Sequence, residues 1–364
     1  MTSQFGKHLK VAISGESHGD SISVVAEGMP AGFAVDMEEL HRFLARRAPG
    51  GSLATPRREA DIPTFVSGLA NGKTNGQPLH AIIQNTNTRS KDYAALTDVP
   101  RPSHADLPAR MKYGESIDLR GGRHFSARLT APLCVAGGIA LQILEKMGIA
   151  VGAHLAAVGD VWDTPFDPVS VTAKDLHLSA TRTPAALNEE AGNRMAAVIR
   201  EAAAEGDSVG GIVECAAIGL PWGLGEPLYD GAENRLAATI FGIPAVRGIE
   251  FGTGFAAANM RGSEHNDPYR KQGDRIVTAT NHAGGIVGGI TNGMPLILRV
   301  AFKPTPSIAK PQETLCLSTG KVDTLTIQGR HDPCVAVRAV PVVEAAVALT
   351  LLDMVLENEG AVTV

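Results

Sequence analysis

Cysteine is scarce in this chain, with four residues among 364. They stand far apart and form no CxxC pair; the four are Cys134, Cys215, Cys316 and Cys334. This spacing excludes a zinc framework built on paired cysteines and a disulfide scaffold of the kind found in small secreted proteins. Few, unpaired thiols suit a reducing compartment, so we expect a cytoplasmic protein.

Long uninterrupted apolar runs are also missing. The opening segment MTSQFGKHLKVAIS has no apolar stretch of the kind found in a secretory signal. The longest apolar stretch, 342–356, contains Glu344 and Asp353, and by this measure is too short and too charged for a membrane span. We therefore expect a soluble protein with no membrane partner.

An excess of basic residues is absent, because 33 Lys and Arg stand against 38 Asp and Glu, a formal net charge of −5. This balance disfavours a general nucleic-acid binder. No GxGxxG motif follows the first predicted strand, where the turn reads GESHG. Rossmann and P-loop nucleotide-binding folds therefore have no support.

Glycine and proline, by contrast, are abundant. The 40 Gly and 22 Pro make 62 of 364 residues, about 17%, against about 12% in average proteins. The glycines have no three-residue period, which excludes collagen, and 44% hydrophobic residues allow a buried core. The excess glycine must lie in turns, or in loops where the backbone approaches a ligand closely.

The apolar patterns predict helices and strands in mixed order, without regular βαβ units. Asp36 with Glu39 three residues later is typical of a helix cap before 37–47. Further helices are predicted at 132–147, 192–207 and 339–360, the last starting near Pro341. Strands are predicted at 8–14, 23–26, 79–84, 211–218 and 296–302. We predict one α+β domain that spans 1–364.

Two histidines stand in turns that carry other polar residues. His18 lies in SGESHGD, directly after a predicted strand, and His104 lies in RPSHAD, just before Asp106. Loops at strand ends commonly carry function, because the scaffold holds them rigidly. For His18 the alternative is a turn histidine in solvent.

Arginines cluster in two glycine-containing segments, 46–61 and 119–132. The clustered residues are Arg46, Arg47, Arg57, Arg58, Arg123 and Arg128. Guanidinium groups bind phosphate and carboxylate bidentately, and backbone amides at a helix start add to an anion cradle. In an acidic chain such clusters favour a small anionic ligand held in one cleft. A solvated basic loop and an incidentally charged helix cap remain alternatives.

Five glycines fall within 284–293, a density that a strand tolerates only when something lies against its backbone. A flat cofactor ring is one candidate, and close packing of backbone on backbone is the other. Further along, Lys303, Thr305 and Ser307 in FKPTPSIAKP could take a phosphate. A metal site at the adjacent pair His331 and Asp332 lacks the helical HExxH spacing.

Seven motifs occur together and in order: GESHG, RPSHAD, GGRHFSARLTAP, RGSEHND, NHAGGIVGGITNG, KPTPSI and GRHDPC. With this set, over essentially the whole chain, the sequence closely resembles the chorismate synthase family. The resemblance implies the last step of the shikimate pathway, a 1,4-anti elimination of phosphate from 5-enolpyruvylshikimate 3-phosphate that gives chorismate without net redox change. It also implies reduced FMN, a homotetramer, and a β-α-β sandwich with helices between two four-stranded antiparallel sheets.

The resemblance also gives roles to matching residues. His18 matches a histidine that protonates the leaving phosphate, His104 one that protonates reduced flavin, and Asp332 an acid that helps the flavin N5 accept the substrate proton. The matching flavin-contact positions are His124, Phe125, Ser126, Pro244, Ala245, Gly288, Lys303, Pro304, Thr305, Pro306, Ser307 and Arg330. The matching substrate- or anion-binding positions are Arg47, Arg57, Arg123, Arg128 and Arg338, of which Arg47 matches a position also associated with NADP. No metal is implied.

The chain departs from the family pattern in three places. GGRHFSARLT is one residue longer than the more common GGRSSARET, Pro306 removes a hydroxyl from KPTSS, and Leu53 replaces an arginine of many members. No flavin-reductase-like segment is visible, so the resemblance implies a monofunctional enzyme that takes reduced FMN from an external source.

Two other functions use the same residues. One is a metal-dependent phosphohydrolase built on His18, His104, His331 and Asp332, which would work without flavin. The other is a non-catalytic protein that binds flavin or an anion and releases no phosphate.

Overall fold

The computed structural model describes residues 3–51, 53–55, 61–86, 98–114, 120–327 and 331–358. All strand pairs among them are antiparallel. The strands are β1 (Gln4–Phe5), β2 (Lys10–Gly15), β3 (Ser21–Glu27), β4 (Thr64–Ser67), β5 (Leu69–Ala70), β6 (Lys73–Thr74), β7 (Leu79–Gln84), β8 (Ala150–Val158), β9 (Val161–Trp162), β10 (Gly211–Ile218), β11 (Val246–Phe251), β12 (Tyr269–Gln272), β13 (Arg275–Thr278), β14 (Ile286–Val287), β15 (Ile290–Thr291), β16 (Leu296–Phe302), β17 (Gln312–Cys316) and β18 (Lys321–Leu325).

The helices range from one turn to six. They are α1 (Met37–Arg47), α2 (Asp106–Tyr113), α3 (Thr130–Lys146), α4 (Ala173–Leu178), α5 (Glu189–Ala204), α6 (Ala232–Phe241), α7 (Gly262–His265) and α8 (Ala336–Asn358). Short 3₁₀ segments include Arg120–Phe125 and Ala127–Leu129, which lead into α3.

Two larger sheets form the outer layers, in the strand orders β1-β2-β3-β7-β4 and β11-β16-β10-β8-β9. Each has the four strands that the resemblance implied, plus one two-residue strand at an edge, β1 or β9. Helix α3 packs on β3 and β7 of the first sheet, α8 packs on β8 and β10 of the second, and the two helices pack on each other. The expected β-α-β sandwich is confirmed, with five strands rather than four in each sheet.

The two central helices approach each other closely because small residues face one another. A Cβ placed on Gly137 would lie 2.3 Å from the Cβ of Ala345, so the contact requires glycine at this position. Side chains from both sheets and both helices join in one buried apolar cluster. Its burial is the main favourable term for folding.

These same helices are long and apolar enough to cross a bilayer, judged by length and composition alone. However, 89% and 94% of the most apolar windows of 127–146 and 336–358 are buried inside the protein. The expectation that the C-terminal stretch is too short was wrong, because α8 has 23 residues. The sheets cover both helices, and two buried carboxylates in α8 are paired: Glu344 with Arg46, and Asp353 with Arg235.

The predicted strands 79–84, 211–218 and 296–302 have the observed bounds, and Asp36 caps α1 by accepting from the Glu39 amide at 2.9 Å. The start of the last helix was predicted wrongly. It begins at Ala336 and carries Pro341 inside. A proline removes one helical N–H bond near the start, and the buried packing of α8 compensates for that loss.

Candidate active site

One cleft of about 1020 Å³ gathers most of the chemical motifs. It lies where the turn before α2, the segment before α3, the end of α6, the end of β16 and the start of α8 meet. Among the described residues, six Lys or Arg side chains and one carboxylate, that of Asp332, line it. The lining histidines are His18, His104, His124 and His331. A chain of net negative charge thus concentrates positive charge at one place.

The loop that carries His18 joins β2 to β3 and is fixed by Asn85, just after β7. The Asn85 side-chain amide donates to the carbonyls of Glu16 and Gly19, each at 2.9 Å. His18 Nδ1 lies 3.2 Å from the buried Ser17 hydroxyl. The turn therefore holds this imidazole at the cleft wall, rather than leaving it in solvent.

His104 lies in a second built turn. Its Nδ1 is 2.6 Å from a carboxylate oxygen of Asp106, and Asp106 also receives two bonds of 2.7 Å from the Arg101 guanidinium. Burial would raise the pKa of Asp106, but the bonds from Arg101 and His104 outweigh it and hold this pKa far below its usual range. The carboxylate behind His104 is therefore ionised throughout the physiological pH range.

A second buried carboxylate, Asp61, organises two of the predicted arginines. One oxygen accepts from Arg47, at the end of α1, and the other from Arg128, before α3. Burial opposes ionisation of Asp61, but the two guanidinium groups outweigh it and lower the pKa of the carboxyl. Arg47 also donates to the Thr130 hydroxyl and the Ala127 carbonyl, each at 3.2 Å.

Asp332 lies four residues before α8, and both of its carboxylate oxygens accept hydrogen bonds. One accepts from the Thr55 amide at 2.8 Å and the other from Arg338 at 2.7 Å, while its backbone carbonyl accepts from the Thr305 hydroxyl at 2.8 Å. Arg338 also donates to the Arg47 carbonyl at 2.9 Å. Asp332 therefore links three separate segments of the cleft wall.

His124 is anchored by the protein at both ring nitrogens. Nδ1 lies 2.9 Å from the Gly15 carbonyl, so it carries the proton, and Nε2 accepts from the Ser3 hydroxyl. Only the faces and edges of the ring remain for a ligand. His124 therefore ties the segment before α3 to the end of β2.

Lys303 follows β16 and fits an anion site. Its ammonium donates to the Ser103 carbonyl, and no carboxylate among the described residues pairs with it. Burial, with the nearby charge of Arg247, lowers the pKa of Lys303. A desolvated cation that repels a neighbouring cation gains from a bound phosphate or carboxylate.

Most sequence-predicted residues meet in this cleft. Those that line it are His18, Arg47, His104, His124, Phe125, Ser126, Arg128, Pro244, Ala245, Lys303, Thr305, Pro306, Ser307, Asp332 and Arg338. Three others do not: Pro304 is exposed and packs near Gly210, Arg123 pairs with Glu16 at 2.9 Å, and Gly288 lies in another cavity of about 660 Å³. Arg57 and Arg330 lie outside the described residues.

The glycine-rich run 284–293 packs backbone on backbone. A Cβ on Gly285 would lie 2.6 Å from the Pro295 carbonyl oxygen, and one on Gly289 would lie 2.3 Å from that of Glu226. Both glycines also have positive φ angles, 86° and 88°. The structure thus favours the backbone-packing interpretation of these glycines over the flat cofactor ring.

Three cleft or near-cleft residues were missed from the sequence. Asn85 bonds to Glu16 and Gly19, which are distant in sequence, and Arg101 bonds to its neighbours Asp106 and His104 in a turn whose geometry the sequence does not reveal. His331 was considered only as a metal ligand. Burial, aided by the charge of Arg101, lowers the pKa of His331 to about 4, and its buried Nε2 has no partner among the described residues. Within those residues, no group of three His, Cys, Asp or Glu side chains is arranged to hold a metal ion.

Comparisons with known proteins agree with this site. The family model described as chorismate synthase matches residues 9–356. The chorismate synthase of Lancefieldella parvula is 48% identical, over 97% of this chain and 96% of that protein. That of Korarchaeum cryptofilum is 47% identical, over 98% and 99%. A solved structure described as a crystal structure of chorismate synthase has a TM-score of 0.76 at 27% identity, and the match covers 98% of this chain and 94% of that one.

The fold, the cationic cleft and the matches over nearly the full chain lead to one conclusion. The protein is a lyase of the shikimate pathway that acts on a small molecule, forming chorismate by elimination of phosphate from 5-enolpyruvylshikimate 3-phosphate. The family uses a flavin. The chain belongs to the chorismate synthase family.

Proposed function

We propose that this elimination takes place in the 1020 Å³ cleft, with His18 and His104 handling protons and the arginines and Lys303 binding the anionic groups. The observation that carries the proposal is the composition of the cleft, whose lining, within the described part of the chain, has six cationic side chains, four histidines and one carboxylate. The substrate has two carboxylates and a phosphate. Preorganised cations can bind these groups and stabilise the charge that develops on the departing phosphate.

We infer that the flavin is reduced FMN. The chemistry of the donor set supports it, because the partly buried Lys303 has no carboxylate partner among the described residues and the Ser307 hydroxyl lines the same cleft. Lys303 and Ser307 would hold the phosphate, with Pro244 and Ala245 as apolar walls for the ring. When bound, the reduced flavin supplies electron density to the substrate, which is recovered after phosphate leaves.

His18 is assigned the protonation of the leaving phosphate. Its loop is held rigidly by the bonds from Asn85 to the Glu16 and Gly19 carbonyls. A histidine suits this task because its ordinary pKa lies near neutral pH, so it can both hold and release a proton. Arg128, which donates to Asn85 at 3.2 Å, links this loop to the anion-binding residues.

His104 would protonate the reduced flavin, and Asp332 would help the flavin N5 accept the proton that the substrate loses. His104 lines the cleft with Nδ1 bonded to Asp106, which leaves its other ring nitrogen to exchange a proton. Asp332 fixes the wall by its bonds to Thr55 and Arg338. His104 and Asp332 would orient the bound substrate and flavin, so that the substrate loses its proton and its phosphate within one cleft.

An anaerobic assay with 5-enolpyruvylshikimate 3-phosphate tests the proposal. With chemically reduced FMN we expect chorismate and phosphate in equal amounts, and with oxidised FMN or none we expect neither. Phosphate release without flavin, abolished by a chelator, would instead indicate a phosphohydrolase. Flavin binding without release of phosphate would indicate a non-catalytic binding protein.

Single substitutions test the residue roles. His18→Ala and His104→Ala should each reduce turnover by about 10²–10⁴-fold with folding intact, the range for a lost general acid or base. His41→Ala is the matched control, because His41 is exposed on α1 and should leave turnover unchanged. Near wild-type turnover of His18→Ala or His104→Ala would contradict that residue's role.

We also propose that the enzyme is a monofunctional homotetramer of the cytoplasm that receives reduced flavin from an external reductant. The proposal rests on the resemblance in sequence to its family. Light scattering after size exclusion measures the assembly directly, and a mass other than four chains would contradict it. With oxidised FMN and NADPH but no other source of reduced flavin, we expect no turnover.

A further inference from the structure

The carboxylate of Asp106 is aimed at His104 and away from the cleft. It is 1% exposed and does not line the cleft, whereas His104 does. One of its oxygens lies 2.6 Å from His104 Nδ1. Asp106 therefore does not contact a ligand in the cleft directly and can act on it only through His104.

Arg101 fixes this carboxylate in place. Its Nε and Nη2 each donate to Asp106 at 2.7 Å, and its backbone amide donates to the same carboxylate at 3.1 Å. The Arg101 Nη1 also donates to the Ser307 hydroxyl at 3.1 Å. The orientation of the carboxylate is thus set by a planar fork of donors, and its position does not depend on His104.

The short distance decides which ring nitrogen of His104 carries the proton. Burial is outweighed by the bonds to Asp106, so the pKa of Asp106 is far below its usual range and the carboxylate only accepts. An acceptor oxygen and an unprotonated nitrogen at 2.6 Å would repel. Nδ1 therefore carries hydrogen and donates to Asp106, although Arg101 Nη2 also lies 3.0 Å from Nδ1.

We propose that Asp106 is a positioning residue that holds neutral His104 in the Nδ1–H tautomer and so leaves Nε2, the ring nitrogen not bonded to Asp106, as the atom that gains and loses the catalytic proton. The inference rests on the proposed role of His104 and goes beyond it, because it names the proton-carrying atom and the residue that selects it. A carboxylate on the far nitrogen has a second effect. It stabilises the imidazolium formed when Nε2 takes a proton.

The tautomer is measured directly by ¹⁵N NMR of histidine-labelled protein, at a pH where the ring is neutral. The His104 signals are assigned by their loss in His104→Ala. In the wild-type protein we expect hydrogen on Nδ1. Hydrogen on Nε2 in the wild-type spectrum would overturn the inference without any variant.

The variant Asp106→Asn keeps the shape of the side chain and removes its charge. The Nε and the backbone amide of Arg101, which both donate to Oδ2, would keep the amide oxygen at that position, so the amide NH₂ would take the Oδ1 position, face His104 and donate to Nδ1. We expect the Nε2–H tautomer, a fall in kcat of about 10²–10⁴-fold and little change in KM. An unchanged tautomer together with unchanged kcat would overturn the inference.

Asp163→Asn is the matched control. Asp163 is also a buried carboxylate bonded to a histidine Nδ1, that of His154 at 3.0 Å, but it does not line the cleft. This variant should change the His154 signals and the melting temperature while leaving turnover and the His104 signals unchanged.

The outcomes for the two proposals can be told apart. If His104→Ala retains wild-type turnover, the catalytic role of His104 fails, and the tautomer spectra alone decide whether Asp106 positions its ring. If His104→Ala is inactive while Asp106→Asn keeps both kcat and the Nδ1–H tautomer, the positioning role fails and the catalytic role stands.

Discussion

Gly122 lies against the ring of His104, and a Cβ on Gly122 would be 3.4 Å from both Cε1 and Nε2 of the imidazole. Gly122 also has a φ of 82°, which side chains other than glycine rarely adopt. Gly122→Ala should therefore destabilise the fold by about 1 kcal/mol or more, and should also displace His104. We expect kcat to fall by more than the loss of stability alone would cause, in assays well below the melting temperature.

Gly148→Ala separates these two effects. Gly148 has a nearly equal φ of 84°, but a Cβ there would meet nothing within 4 Å, and the residue is outside the cleft. It should lower the free energy of unfolding by a similar amount and leave kcat unchanged. Equal kcat in the two variants would show that the contact of Gly122 with His104 has no catalytic consequence.

Asp61→Asn should strongly destabilise the protein, because it leaves the buried guanidinium groups of Arg47 and Arg128 without their shared carboxylate. Breaking one partner of a buried ion pair typically costs about 3–5 kcal/mol. Chemical denaturation at pH 7 measures the change, with the exposed Asp274→Asn as control. A loss as small as that of the control would show that the two arginines find other partners.

The same residue gives a pH dependence. The pKa of Asp61 is lowered in the folded state, from about 3.9 in the unfolded chain. Its stabilisation is therefore fully present above about pH 5 and is lost as the pH falls through the folded-state pKa. The wild-type protein should lose stability in acid more steeply than Asp61→Asn, and parallel acid denaturation curves would contradict this origin.

His154 predicts the opposite dependence. It lies fully buried between Asp163, 3.0 Å from Nδ1, and Glu214, 2.9 Å from Nε2. Burial would lower the pKa of His154, but the bonds to both carboxylates outweigh it and raise this pKa. Its contribution should be complete below about pH 6.5 and lost as the pH rises through the folded-state pKa. His154→Gln should remove this part of the decline in melting temperature at alkaline pH.

Lys303→Gln should weaken the binding of FMN without destabilising the protein, because Lys303 is a partly buried cation near Arg247. Loss of one charge-assisted hydrogen bond corresponds to about 10–100-fold in affinity. Titration of flavin fluorescence measures it. Lys310→Gln is the control, since Lys310 pairs with Glu205 and Asp207 at 2.9 Å on the surface. Equal affinity of the two variants for FMN would show that Lys303 does not bind the flavin.

Local sequence patterns predicted the bounds of strands well where an apolar pattern is flanked by glycine or polar residues. The strands 79–84 and 211–218 alternate or run apolar between glycine and polar residues, and their bounds are as predicted. The start of α8 was missed, because a proline normally marks the first turn of a helix and here lies inside. The sequence left open whether the glycines of 284–293 approach a cofactor or pack on backbone. Gly289 packs on the backbone of Glu226.

The amino-acid sequence by itself determined the family and the mixed α+β class, because these follow from residue types in a fixed order, and it supplied the candidate reactive side chains. It could not show that Asp106 serves His104 from behind, that Asp61 joins Arg47 to Arg128, or that Gly288 lies in another cavity. The Asp106–His104 contact joins residues only two positions apart, and it depends on how the turn before α2 folds around Arg101. The contacts of Asp61 join separate segments of the chain, and only tertiary packing brings those segments within hydrogen-bond reach, where burial strengthens each charge pair relative to water.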